Sequence, residues 1–464
     1  MISDQATKPA RLSPPDISIS GLAKLAAPIY IANLAVLGNV TIDTIMAGHL
    51  GAEHLAAVAL GGAATGSILI ALVGVIQGLA PICGHHFGAK RYDRIGFEGC
   101  QALYIALILS LIGIPVIAWT GLWTDLGQVT GKIAELTSGY LLFSAASIPF
   151  GLINRIFISI NASINRPRIT MWISLIMLAL KAPVNAIFMY GLFGLPQLGG
   201  AGAGLSNAIL YAFSTLLFVA AFWKNPACRQ VHPQHFYRPD WRAIREQLRI
   251  GIPIGLSVFF EASSFALMAV FISRIGPIAV SAHQIVSNIM ATFYMTPLSI
   301  GIASSVLVAQ CLGAGFPLFA ERMTRRALGS AIIVSLIMSA ALYLSSSFVI
   351  SIYTSESSVR NIALILIVCG IFYHPFDAIQ AVGGFVLRGY KITWIPMLVS
   401  GIALWCLGLG FGYQLCFATT FLGEPKGPLG FWIGCTTGLV LAAAALSAYA
   451  LIHARRLARI AATN

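Results

Sequence analysis

Twelve long apolar runs, separated by short polar breaks, constrain this chain more than any other feature of its sequence. Read between the breaks, they cover residues 20–46, 54–83, 97–118, 133–160, 168–190, 200–223, 247–273, 280–308, 326–347, 358–387, 394–416 and 427–452. A helix needs roughly 20 apolar residues to cross the hydrocarbon core of a bilayer. Hydrophobic residues fill 58% of the 464 positions and charged residues only 9%, against about a quarter charged in soluble domains. Lipid is therefore the solvent. The expected fold is an all-α polytopic membrane protein with twelve transmembrane helices.

A net charge of +13 raises nucleic acid as a partner, but the distribution of the charge argues for topology instead. One alternating set of loops holds Lys8, Arg11 and Lys24; Lys90, Arg91 and Arg94; Arg166 and Arg168; the run from Lys224 to Arg249; Arg322, Arg325 and Arg326; Arg388 and Lys391; and Arg455, Arg456 and Arg459. The other set holds only Lys132, Arg274, Arg360 and Lys426. By the positive-inside rule the first set faces the cytoplasm. The chain is expected to be a multi-pass protein of the bacterial inner membrane, a monomer with both termini cytoplasmic and no nucleic-acid partner. Residues 1–20 are polar and lack an apolar core, so the first span serves as its own insertion signal. Seven of the eight cysteines lie in or beside apolar runs, where Cys behaves as a small hydrophobe. No disulfide framework is expected.

The chain also repeats itself. At an offset of 225, Pro28 matches Pro253, Gly51 matches Gly276, Ala57 matches Ala282, and Gly88-Ala89 matches Gly313-Ala314. At an offset of 226, Pro149 meets Pro375. Six helices per half carry both halves into the membrane in the same direction, related by an axis along the membrane normal. The organisation expected is a tail at 1–19, a first lobe at 20–223, a solvated linker at 224–246, a second lobe at 247–452 and a tail at 453–464. A cavity between two such lobes suits alternating access.

Three acids and one lysine lie inside spans: Asp43, Glu261, Asp377 and Lys181. Ionisable groups at membrane depth are costly and are functional candidates by default. Glu261 stands twelve residues past Arg249 and thirteen before Arg274, and Asp377 eleven before Arg388, which puts both well inside the bilayer at roughly 1.5 Å per residue. Asp43 and Lys181 fall in the outer half of the first lobe. A carboxyl group at such depth can take up a proton or hold a cation, as an antiporter needs, because desolvation favours its neutral form. Around Asp377 the sequence reads "FYHPFDAIQ". Tyr373, one turn earlier, is placed to meet a cation with its ring. Pro375 removes a backbone hydrogen bond and leaves the Ile371 carbonyl as a further ligand.

At these residues the sequence resembles the NorM branch of the multidrug and toxic compound extrusion (MATE) family, over nearly the whole chain from Leu22 to Ala450. The resemblance rests on an ordered set: "DTIMAGHLGAEHLAAVALG" in helix 1, "PIGLSVFFEASSF" in helix 7, "AHQIVSN" and "YMTPLSIG" in helix 8, "VLRGYKIT" after helix 10 and "LGFGY" in helix 11. It implies export of organic, often cationic, compounds, driven by inward Na⁺ or H⁺ and without another cofactor. It implies a cation site, Na⁺ or H⁺, at Glu261 and Asp377 with Tyr373 in support, and Asp43 as the first-lobe acid. Gln284 and Asn288 are implied as cavity-lining residues. Two positions depart from the family: Lys181 stands where Asn is usual, and Gly410 where Pro is common. Their shared depth and opposite charge suggest that Lys181 pairs with Asp43 as a built-in cation, leaving ion coupling to Glu261 and Asp377. A major facilitator transporter fits less well, since "GAKRYDRIGF" is spaced one residue too long and the acids go unexplained. A lipid-linked saccharide flippase would want several intramembrane basic groups, where Lys181 alone stands out. With no Gly-x-x-x-x-Gly-Lys-Ser/Thr loop, an enzyme hydrolysing ATP is not expected.

Overall fold

A computed structural model of the chain describes residues 13–419 and 423–463; Lys8 and Arg11 of the first loop lie outside them. Among the described residues eleven helices are long and apolar enough to cross a membrane, and a pair bent by 43° makes a twelfth span if counted as one. They are α1 (Ile19–Leu50), α2 (Ala52–Gly88), α3 (Tyr92–Ala118), α4 (Gly131–Ala145 with Ser147–Ser163), α5 (Pro167–Tyr190), α6 (Gly200–Lys224), α7 (Trp241–Ser273), α8 (Pro277–Gly313), α9 (Pro317–Tyr353), α10 (Ser357–Gly389), α11 (Trp394–Phe417) and α12 (Pro428–Thr463). Helices suit this solvent because each satisfies its own backbone N–H and C=O groups, which lipid cannot. With the bent pair counted as one span, the start of α1 and the end of α12 fall on the same side.

Several helices run past their apolar cores. α7 begins at Trp241 because the Asp240 carboxylate accepts from the backbone N–H groups of Arg242 and Ala243, at 2.8 and 3.3 Å, an N-cap that works in polar surroundings. α9 extends the 326–347 run by two turns or more at its start, and α12 continues to Thr463. The segment between α6 and α7 is hydrogen-bonded to α3. Gln101 donates to Arg238 O at 3.1 Å and accepts from Asp240 N at 2.8 Å, while the Tyr104 hydroxyl donates to Tyr237 O at 2.9 Å. Within the segment Cys228 is fully buried. In α11 residues Ile402–Phe411, including Gly410, are wound as a π-helix. There a Cβ on Gly438 of α12 would strike the Ala403 carbonyl.

Large apolar side chains such as Leu111, Leu344 and Phe348 face outwards, as the surface of a lipid-embedded protein requires. The lobes, α1–α6 and α7–α12, are joined through the terminal-side halves of α1, α2, α7 and α8. Small residues allow backbones to touch there: a Cβ on Gly74 would clash with Gly255, and one on Gly78 with Gly251. The seal obeys the repeat. A Cβ on Gly88 would strike the Gln310 carbonyl and one on Gly313 the His85 carbonyl, and both pairs are related by the offset of 225. Hydrogen bonds across the seal include Gln310 Nε2 to Ser163 O at 2.8 Å and Asn33 Nδ2 to Ser299 Oγ at 3.3 Å.

Candidate functional site

In the first lobe, α5 carries Lys181 and Asn185 one turn apart on the same face, turned towards Asp43 on α1. Lys181 Nζ lies 2.8 Å from Asp43 Oδ1, and Asn185 Nδ2 donates to the same oxygen at 2.7 Å. Lys181 is 1% exposed and Asp43 6%. Asn207 on α6 completes the cluster. Its Oδ1 accepts from Lys181 Nζ at 2.6 Å, and its Nδ2 reaches Asp43 Oδ2 at 3.4 Å and the Tyr140 hydroxyl of α4 at 3.3 Å. A buried ion pair holds only when its remaining polar atoms are also satisfied, and these amides supply that; Asn185 Oδ1 is left without a partner. The sequence pattern brings Lys181 and Asp43 together but does not single out Asn185, Asn207 or Tyr140. Asn185 could have been found from its spacing to Lys181. Asn207 and Tyr140 come from other helices and leave no such signal.

In the second lobe, Glu261 on α7 has Tyr294 of α8 as its neighbour. Asp377 on α10 is 5% exposed and lies within electrostatic range of Glu261. It forms no ion pair with any described residue. The acids therefore differ between the lobes: Asp43 is held against a lysine, whereas among the described residues no cation is in contact with Glu261 or Asp377. Tyr373 is buried near Asp377, its ring set edge-on to Trp432 at 5.7 Å and Phe265 at 6.4 Å. The Ile371 carbonyl freed by Pro375 already has one partner. It accepts the Ser339 hydroxyl of α9 at 3.0 Å, since a carbonyl without its helical partner recruits the nearest donor. His374 packs edge-on to Phe293 at 5.5 Å. Gln284 and Asn288 are exposed on one face of α8, with Asn288 Nδ2 folded back onto Gln284 O at 3.0 Å.

Two basic groups escape the loop reading. Arg155, counted in neither loop set, sits within the second half of α4, and Lys181 is thus not the lone basic residue at depth. Arg388 is part of the last turns of α10 rather than a loop. Its guanidinium lies 4.0 Å above the Phe385 ring, and its Nη1 reaches Gln77 Oε1 of α2 at 3.4 Å.

The MatE family model matches residues 28–187 and again residues 253–414, once in each lobe and starting at the paired prolines. This chain belongs to the MATE family. Among curated MATE relatives, a probable multidrug resistance protein NorM of Aromatoleum aromaticum is 36% identical, over 93% of this chain and 94% of its own length. The multidrug resistance protein NorM of Vibrio parahaemolyticus is 32% identical over 91% and 93%. Among solved structures, an outward-facing multidrug resistance MATE transporter superposes with a TM-score of 0.84 at 18% identity, covering 96% of each chain. The Vibrio cholerae MATE transporter VcmN in its bent form gives 0.83 at 18%, covering 95% of this chain and 99% of its own. At that identity the two structures establish the MATE fold alone.

Proposed function

We propose that this MATE protein exports organic, often cationic, compounds by alternating access of its two lobes. Export is driven by Na⁺ or H⁺ entering through Glu261 and Asp377. The observation that carries the proposal is the contrast between the lobes: Asp43 is neutralised by Lys181 at 2.8 Å, while among the described residues Asp377 has no cation in contact. A carboxylate at that depth persists by exchanging one positive species for another. Tyr294 stands beside Glu261, and Tyr373 walls the site on the Trp432 side. The NorM relatives, named as multidrug resistance proteins, support the substrate class.

The basic loops mark the side carrying the termini as cytoplasmic. A seal at Gly88 and Gly313 then closes the inner face, and substrate leaves towards the outside. Entry of a proton or Na⁺ at Glu261 and Asp377 would discharge the substrate and allow the lobes to rock back around the seal. The test is purified protein in liposomes, with export of a fluorescent organic cation followed under Na⁺ and pH gradients imposed separately. Asp377→Asn should remove gradient-driven export while the protein stays folded and still binds the dye. Unchanged export by that variant would end this reading.

A further inference from the structure

The repeat carries a further correspondence that the export reading does not use. α3 and α9 begin 225 residues apart, at Tyr92 and Pro317, so Gln101 and Arg326 occupy the same register on them. Each grips the stretch of chain that leads into the first helix of the other lobe. Gln101 of the first lobe donates to Arg238 O at 3.1 Å and accepts from Asp240 N at 2.8 Å, just ahead of α7. Arg326 of the second lobe donates through Nη1 to Ile17 O at 2.7 Å, just ahead of α1.

Both gripped stretches adjoin a helix cap. Asp240 is the N-cap of α7. Ile17 precedes Ser18, the N-cap of α1, whose Oγ accepts from Gly21 N at 2.9 Å and whose own N–H donates to Asp16 Oδ1 at 2.9 Å. Apolar burial secures the same places. Ile17 is 7% exposed, in one cluster with Met323 and Ala327 of α9 and Ala450 of α12. Ile244, in the first turn of α7, is buried in a cluster with Ile95 and Ala102 of α3. Gln247, one turn further on, donates to Glu98 Oε2 of α3 at 2.6 Å and to Glu98 O at 3.0 Å. Losing a cap is itself costly. Neither first helix can therefore tilt away from the opposite lobe on this side without breaking its grip or its cap.

We propose that Gln101 and Arg326 are positioning residues of transport, the anchors of two crossed straps that hold the terminal side shut while substrate leaves on the other. The inference rests on the alternating-access reading and adds contacts that set its balance. The straps are unequal. Gln101 is fully buried, and its loss leaves both Arg238 O and Asp240 N without it. Arg326 is exposed to solvent, which weakens its contact. The Gln101 strap is the stronger.

Spin labels at Lys90 and Leu318, exposed on opposite lobes of this side, read the distance between lobes in the purified full-length protein. Attached through a ketone-bearing residue, they bypass the native cysteines. Gln101→Leu should raise the ratio of long to short distances by about tenfold and Arg326→Leu by about threefold, and the double variant by about the product. Arg326→Lys, which keeps a charged donor, should stay near the wild-type ratio. Binding of a fluorescent organic cation reports that each variant is folded. A second measurement needs no strap variant: in the wild-type protein, hydrogen exchange at residues 240–243 should quicken under whichever ion or dye condition populates the long distance. An unchanged ratio in folded Gln101→Leu and Arg326→Leu, or exchange that stays flat while the lobes part, would overturn the straps. A longer distance in the variants upholds them even where no dye or ion gradient moves the wild type, a result that would instead defeat the export reading.

Discussion

Lys181 is the residue whose replacement says most about how the first lobe is balanced. Removing one partner of a buried pair leaves the other charge uncompensated, at a cost of about 3–5 kcal/mol. Lys181→Met leaves Asp43 with only the amides of Asn185 at 2.7 Å and Asn207 at 3.4 Å, two neutral donors for one full charge. Asp43→Asn leaves the ammonium with Asn207 Oδ1 at 2.6 Å. Each single variant should therefore lose about 3 kcal/mol of unfolding free energy, the lower end of that range because the amides remain. The double variant removes both charges and should cost at least about 2 kcal/mol less than the sum of the singles, a coupling typical of contacting charges. Denaturant unfolding in detergent micelles, followed by tryptophan fluorescence, measures all four proteins. Strict additivity would refute the view that this pair balances itself. Transport gives a second reading: Lys181→Asn restores an unpaired acid to the first lobe, so dye export should acquire a steeper dependence on the driving ion.

Other consequences are as direct. Glu261→Gln should abolish gradient-driven export in liposomes, whereas Tyr294→Phe, which keeps the acid and removes only the neighbouring hydroxyl, should lower the rate by about tenfold or less. Gly88→Leu and Gly313→Leu should each prevent the lobes from meeting, and spin labels on either side of the seal should report a longer separation. Ser339→Ala should cost about 1–3 kcal/mol by stranding the Ile371 carbonyl; an unchanged unfolding midpoint would show that α9 does not cap it.

The span count and the repeat were legible because both are one-dimensional properties. Bilayer thickness sets a minimum run length whatever the packing, and duplication leaves a constant offset that Pro28 and Pro253 still display. The acids at depth were legible for a related reason, since a charge within an apolar run stands out without any knowledge of its neighbours. Helix ends were less so. Asp240 starts α7 before the apolar run begins, and α12 continues beyond its own, because backbone hydrogen bonding does not stop where lipid does. Arg155 went unnoticed as a single basic residue in a long run, and Arg388 reads as a loop residue until α10 is seen to include it.

By itself the sequence determined the solvent, the twelve crossings, the duplicated halves and the short list of ionisable groups that lipid would otherwise expel. Tertiary structure alone decided which of those groups are already satisfied. Whether a carboxylate at depth is spent or available depends on side chains delivered by other helices: Asn207 and Lys181 around Asp43, Tyr294 beside Glu261, Ser339 on the Ile371 carbonyl. Those partners lie tens to hundreds of residues apart in the chain, and electrostatic energy depends on distance in space.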